Sequence, residues 1–321
     1  MVNFFKSIFS GKEETEEELK ARNEEKNFDI LKYDGIRATK MCGKLPYAIK
    51  CFTEALNIKE DMETRTLLAS AYLSFGKPEE ALLQANKMVE LEPENIEARL
   101  IRIHILFLLD RDSEVPADCQ AIISVDPDNY MAYFQMAKAK KATGDVFGAI
   151  ADLTKAIALK DDFAGAYQLR AEVFLLMRQG KEALEDISKV IELTPEEETA
   201  YLLRGRVHAL MNDAEKAEAD FSYVLELNPF QIDAYLLKSS LMTALGKNED
   251  ALAFIDEAIE VNTESGALYA ERGRIRNMLG DKKGAFEDVK KSVELNPNGE
   301  VAQMCNGQHS NFGNMYKGGI F

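Results

Sequence analysis

The sequence predicts an all-α fold, a superhelical α-solenoid of about eight 34-residue helix-turn-helix units. Three observations predict it. Pro93, Pro127, Pro195, Pro229 and Pro297 lie 34 residues or a multiple of 34 apart, with Asp161 and Thr263 in the two skipped slots. Gly76, Gly144, Gly246 and Gly280 keep the same period, with Asp110, Arg178 and Asn212 in the remaining slots. Ala81, Val115, Ala149, Ala183, Ala217, Ala251 and Ala285 keep it a third time.

The elements follow in chain order. Residues 1–28 form an amphipathic and acidic N-terminal segment. Phe4, Phe5, Ile8 and Phe9 share one side of a short helix, which packs on the first unit, attaches weakly to a membrane surface or stays unfolded. Residues 11–27, with the acidic block Glu13, Glu14, Glu16, Glu17 and Glu18, read as a solvated helix. The array occupies residues 29–299 in eight units, about 29–61, 62–95, 96–129, 130–163, 164–197, 198–231, 232–265 and 266–299. The first unit matches through Gly43, Ala48, Phe52 and Ala55 if one extra residue lies before Met62.

The unit 130–163 illustrates the pattern. Tyr133, Met136, Ala137 and Ala139 recur at helical spacing. Gly144 suits the left-handed end of that helix. Ala149, Ile150, Leu153, Ala156, Ile157 and Leu159 then line a second helix. The proline slot ends the second helix because proline lacks the N–H that would extend it. Pro46, Pro78 and Pro116 fall at or near second-helix starts, where that N–H has no intrahelical partner; Pro116 fits least well, about three residues in. Residues 300–321 begin a short helix that Asn306-Gly307 stops, and continue as a Gly/aromatic tail with Phe312, Met315, Tyr316, Ile320 and Phe321. That tail docks on the last unit, enters a groove or stays disordered.

Composition narrows function. A net charge of −16 argues against sequence-independent nucleic-acid binding, which needs many cations on phosphates. Cys42, Cys51, Cys119 and Cys305 contain no C-x-x-C pair and read as reduced thiols of a cytoplasmic protein. Met1 to Ser10 lacks a long apolar core and a small-residue cleavage site, so no secretory signal is expected, and no apolar run approaches a membrane span. His104, His208 and His309 stand without metal-ligand spacing, and no phosphate loop or nucleophile elbow occurs. No catalytic residue, metal or cofactor is expected, and the chain reads as a non-enzyme.

The unit resembles the tetratricopeptide repeat. The family's small eighth position is matched by Ala69, Ala137, Ala171, Gly205, Ser239 and Gly273, and its large fourth position by Tyr133, Tyr167, Tyr201, Tyr235 and Tyr269. The alanine and proline tracks match its twentieth and thirty-second positions. Tyrosine replaces the family's favoured tryptophan throughout, and the third unit departs most, with Arg99, Ile103 and Asp110 where Tyr, Gly or Ala, and Gly are usual. The resemblance covers about residues 29–299 and implies a right-handed superhelix.

The resemblance also implies a concave groove lined by the first helix of each unit. Its ninth positions are Arg37, Ser70, His104, Lys138, Glu172, Arg206, Ser240 and Arg274; near them fall Lys40, Phe107, Phe134, Lys141, Leu175, Leu202, Leu236 and Asn277. Glu63, Glu97 and Asp233 add negative charge. The candidate partner-binding residues are therefore Arg37, Lys40, His104, Phe107, Phe134, Lys138, Lys141, Leu202, Arg206, Leu236, Arg274 and Asn277. They suit a protein or peptide partner with acidic and apolar side chains. The ninth positions lack the asparagine with which one version of the family holds chaperone C-termini, which argues against that ligand. Arg170, Arg204 and Arg272 recur opposite Asp152, Asp186, Asp220 and Asp288 as structural ion pairs, within or between units; the seventh unit keeps only Lys238, opposite Phe254. The expected function is a non-enzymatic protein-protein interaction scaffold. The competing reading is a peripheral membrane or self-assembly factor acting through its two termini.

Overall fold

The computed structural model describes residues 15–297 and Gly299. The apolar N-terminal residues Phe4 to Phe9 and the aromatic tail lie outside the described residues. Among those described there are sixteen α-helices, one 3₁₀ turn and no strand. The chain divides into two compact parts between Leu159 and Lys160. The first holds α1 (Glu16–Thr39), α2 (Leu45–Ile58), α3 (Met62–Ser74), α4 (Pro78–Leu91), α5 (Ile96–Leu108), α6 (Val115–Val125), α7 (Tyr130–Ala142) and α8 (Val146–Leu159). The second holds α9 (Ala164–Leu176), α10 (Gly180–Leu193), α11 (Glu198–Leu210), α12 (Ala214–Leu227), α13 (Ile232–Ala244), α14 (Asn248–Val261), α15 (Gly266–Met278) and α16 (Lys282–Leu295). Within each part an odd helix packs on the even helix that follows it, and each hairpin packs on the next.

The acidic block has a local role. Thr15 Oγ1 accepts the Glu18 N–H at 3.2 Å, and Glu18 Oε2 accepts the Thr15 N–H at 2.9 Å. This reciprocal cap starts α1, and Glu16, Glu17 and Glu18 sit where the helix dipole favours negative charge. The helix then runs unbroken into the first hairpin and stays exposed until Phe28.

The periodic residues mark the helix ends. Pro93, Pro127, Pro195, Pro229 and Pro297 each stand two residues beyond an even helix. Tyr201 and Tyr235 donate their hydroxyls to the carbonyls of Pro195 and Pro229 at 2.9 and 3.1 Å, so the fourth-position tyrosine ties these two hairpins to the turn before them. Pro116 corrects the expected boundary. A 3₁₀ turn at Asp112–Glu114 delays the helix, α6 begins at Val115, and Pro116 occupies an early position where its missing N–H costs nothing.

The turn between the helices of a hairpin needs positive φ. Five glycines supply it, and Asp110, Arg178 and Asn212 adopt it at φ 54°, 59° and 62°. Asp and Asn tolerate this region better than a long side chain does. Arg178→Gly is therefore expected to stabilise the protein by up to about 1 kcal/mol, the relief of left-handed strain less the added freedom of the unfolded chain. Urea unfolding of the two proteins checks it; a lower midpoint for the glycine variant would contradict the strain argument.

The core follows a rule of complementary size. The ring of Phe221 on α12 fills the space where a Cβ on Gly205 of α11 would stand. In the third hairpin the order is reversed, with large Ile103 on α5 and small Cys119 on α6, both fully buried in one cluster. This explains how the unit that departs most from the repeat pattern still packs.

The ion pairs resolve into one register. Arg170 pairs with Asp186, Arg204 with Asp220 and Arg272 with Asp288, each with two guanidinium nitrogens on a carboxylate inside one hairpin. Arg102 and Asp118 occupy the same slots and form the same pair, with Nε to Oδ2 at 2.7 Å. Asp152 instead takes Lys140 at 2.7 Å. Lys238, opposite Phe254, turns back to Ser222 Oγ at 2.9 Å on the preceding hairpin. Arg272 reaches back as well, to Asp256 at 2.7 Å.

Candidate functional site

Odd helices of successive hairpins touch one another, α9 with α11, α11 with α13 and α13 with α15. In the second part, α9, α11 and α13 line an open cavity of about 380 Å³, a size suited to side chains of a bound segment. Its lining includes Leu202, Leu203, Leu236 and Leu237, with Glu172, Arg206 and Asp233 as its charged groups. Leu202 and Arg206 are one helical turn apart on α11 and share a face. Gln168 Nε2 donates to Thr199 Oγ1 at 3.3 Å across α9 and α11, fixing two polar side chains of the lining. Arg206 and Asp233 have no ion-pair partner among the described residues. The site thus offers an apolar floor and charge of both signs.

Of the sequence-predicted residues, Leu202, Arg206 and Leu236 come together in this cavity. Arg274 and Asn277 lie on α15 outside its lining. Asn277 is exposed. Arg274 is engaged within the chain: Nε and Nη2 reach the two oxygens of Glu271 at 2.7 Å, and Nη2 also reaches Thr243 Oγ1 at 3.0 Å. Glu271 is buried and accepts Ser239 Oγ at 2.7 Å, so this cation balances a buried carboxylate.

The first part holds a second cluster. Lys138 of α7 places its ammonium 4.1 Å from the centre of the Phe107 ring on α5, close enough for a cation–π contact. His104 lies one turn before Phe107 and is exposed, while Phe134 and Lys141, half-buried, share the Lys138 face of α7. Arg37 and Lys40 stand apart from that cluster at the end of α1, Arg37 beside Asp34 at 3.5 Å.

The remaining candidates for chemistry stay separate. Among the described residues no group of His, Cys, Asp and Glu is placed to hold a metal ion. His208 is half-buried on α11, and burial holds its imidazole below the ordinary value. Cys42 is exposed whereas Cys51 and Cys119 are buried. Burial pushes the Cys119 thiol up to about 12. A thiol alkylating reagent at pH 8 is expected to label Cys42 rapidly and Cys119 only on unfolding, since the thiolate is the reactive form. Peptide mass mapping reads this directly. No described helix is long and apolar enough to cross a membrane.

Comparison with known proteins places the fold. No family model matches the chain. Its sequence is 48% identical over 61 residues to DnaJ homolog subfamily C member 3 of Mus musculus, covering 19% of this chain and 12% of that protein. The Homo sapiens counterpart is 46% identical over the same length and share. The chain thus matches about an eighth of the length of these curated relatives. A tetratricopeptide repeat protein from Parabacteroides merdae superposes with a TM-score of 0.56 at 19% identity, over 87% of this chain and 97% of its own. The Cut9–Hcn1 hetero-tetramer of the APC/C matches with a TM-score of 0.54 at 16% identity, over 81% of this chain and 51% of its own. With helix ends and turn conformations in the 34-residue phase from Met62 onward, and solved structures matched over most of its length, the chain is a protein of the tetratricopeptide repeat fold.

Proposed function

We propose that the chain is a non-catalytic interaction scaffold, with residues 29–299 as its working array, and that it holds a segment of a partner protein on the faces built by its odd helices. The cavity between α9, α11 and α13 carries this reading, because it joins an aliphatic floor to Arg206 and Asp233, two charges with no ion-pair partner among the described residues. Tetratricopeptide folds among the solved relatives fit a scaffold of this kind. The partner segment carries apolar side chains for Leu202 and Leu236 and a carboxylate for Arg206. The Lys138–Phe107 cluster supplies a second, independent contact of the same chemistry in the first part of the chain.

Arg206→Glu tests the cavity and Lys138→Glu tests the cluster. Both residues are on helix surfaces, so the fold is expected to survive. Arg274→Glu is unsuitable, because it would set a second carboxylate against buried Glu271. Partners captured by the wild type should bind Arg206→Glu roughly tenfold more weakly, about 1.4 kcal/mol. Equal binding by wild type and both variants would remove the odd-helix faces from the partner interface.

A further inference from the structure

A different face of the second part breaks the repeat in its own way. The slot that holds Tyr223 on α12 holds Lys155, Lys189 and Glu257 in the neighbouring hairpins, at steps of 34 residues. The slot that holds Phe230 holds Asp162, Glu196 and Glu264. In one hairpin, therefore, two positions that are charged in these neighbouring hairpins are both aromatic. Both face solvent, Tyr223 at 38% and Phe230 at 67% exposure.

The core does not require either ring. In an earlier hairpin the ammonium of Lys155 sits 5.9 Å from the centre of the Tyr133 ring. Tyr223 takes the equivalent place against Tyr201, with ring centres 4.6 Å apart. A lysine thus fills the slot elsewhere, and an aromatic residue is not needed for packing. Phe230 sits in a fixed turn: its N–H donates to Asn228 Oδ1 at 3.0 Å, and Glu198 accepts from Asn228 at 3.2 Å and Gln231 at 3.0 Å. Its exposure is built into a hydrogen-bonded loop, which lowers the entropic cost of binding through it. Exposed aromatic residues of this kind are typical anchors of protein interfaces.

The surroundings select the occupant. Glu226, exposed, lies between the two aromatics in the chain, and Glu196 and Glu197 of the preceding hairpin are exposed as well. Lys189, the nearest cation by slot, is held by Glu192 at 2.8 Å. A second copy would bring the same carboxylates together. We infer that Tyr223 and Phe230 form an interaction surface, distinct from the odd-helix cavity, for a partner segment that carries apolar side chains beside Lys or Arg.

The test substitutes what the neighbouring hairpins carry, Tyr223→Lys with Phe230→Glu, and screens wild type and variant on an array of short synthetic peptides of randomised sequence. Unchanged thermal unfolding establishes that the variant is folded; should it fail, Phe230→Glu alone takes its place. The expected result is that wild type selects peptides with an apolar residue next to Lys or Arg. The variant should bind them roughly tenfold or more weakly, and Arg206→Glu should bind them as wild type does. Selection of acidic peptides, equal retention by the variant or no selection at all overturns the proposal. So does a concentration-dependent dimer that the substitutions abolish, which would make a second copy the occupant. Loss with Arg206→Glu but not with the aromatic variant would assign the peptides to the cavity and overturn this surface while leaving the scaffold reading intact.

Discussion

Phe221→Ala is expected to destabilise the hairpin of α11 and α12 by about 3–5 kcal/mol, the usual cost of emptying a fully buried aromatic site. Phe221 is 0% exposed, and its ring lies where any side chain on Gly205 would have to go. The backbone of α11 cannot close the void without leaving its neighbours, so little of the cost is recovered by relaxation. The same contact predicts the reverse effect. Gly205→Ala alone should cost about 1–3 kcal/mol through overpacking, despite alanine's better helix propensity. Gly205→Ala combined with Phe221→Leu should cost clearly less than the two separate losses added together, because each change makes room for the other. Hydrogen exchange of α11 and α12 measures this locally, as suits an array in which each repeat contacts only its neighbours. Strict additivity would show that the glycine is small for some other reason.

Arg170→Ala should have an effect of similar size for an electrostatic reason. Asp186 is only 4% exposed and takes two guanidinium bonds from Arg170, at 2.7 and 2.8 Å. Removing the cation strands a carboxylate in a poorly solvated site, at a cost of about 3–5 kcal/mol. The pair itself is worth less than its breakage suggests. Arg170→Met with Asp186→Leu is expected to recover most of the loss, because apolar groups of similar volume need no partner. Urea midpoints of the single and double variants decide it. A double variant as unstable as Arg170→Ala would mean that the pair contributes more than the avoidance of a buried charge.

Much of this architecture was legible in one dimension because helix ends are local chemistry. Proline, positive-φ turn residues and small contact residues each act within a few positions, so their period marks the helices. Arg178 and Asn212 kept the glycine phase, and the structure gives them glycine's backbone conformation. Partner choice was less legible. In a periodic chain an arginine faces an aspartate both before and after it, and Arg170 lies close in sequence to Asp152 and Asp186 alike. Only the packing of α9 on α10 selects Asp186. Arg102 and Asp118 stand in the same two slots, but the irregular residues Arg99, Ile103 and Asp110 of the third unit obscure the pattern there. The cavity shows a similar limit. Leu202, Arg206 and Leu236 were readable by position, but the engagement of Arg274 with Glu271 depends on a neighbouring helix turn that a ninth-position register does not include. Tyr223 and Phe230 carry a usable signal, two aromatics where the adjacent hairpins hold charges, but it lies in outer slots that the core pattern does not include.

The closure of the ion pairs within single hairpins bears on how such a chain can grow. Where Arg and Asp of one hairpin satisfy each other, as in Arg170–Asp186 and Arg204–Asp220, a duplicated or deleted hairpin carries its counter-charge with it. No buried carboxylate is orphaned at the new junction, so copy number can drift without an electrostatic penalty. Lys238 and Arg272 break that independence, because each also holds a group on the hairpin before it, Ser222 and Asp256 respectively. Recombination at those junctions would part Lys238 from Ser222 and Arg272 from Asp256, and the first junctions carry ties of their own, Lys32 to Glu63 and Arg111 to Glu79, so only a hairpin whose pairs close on themselves is an interchangeable part.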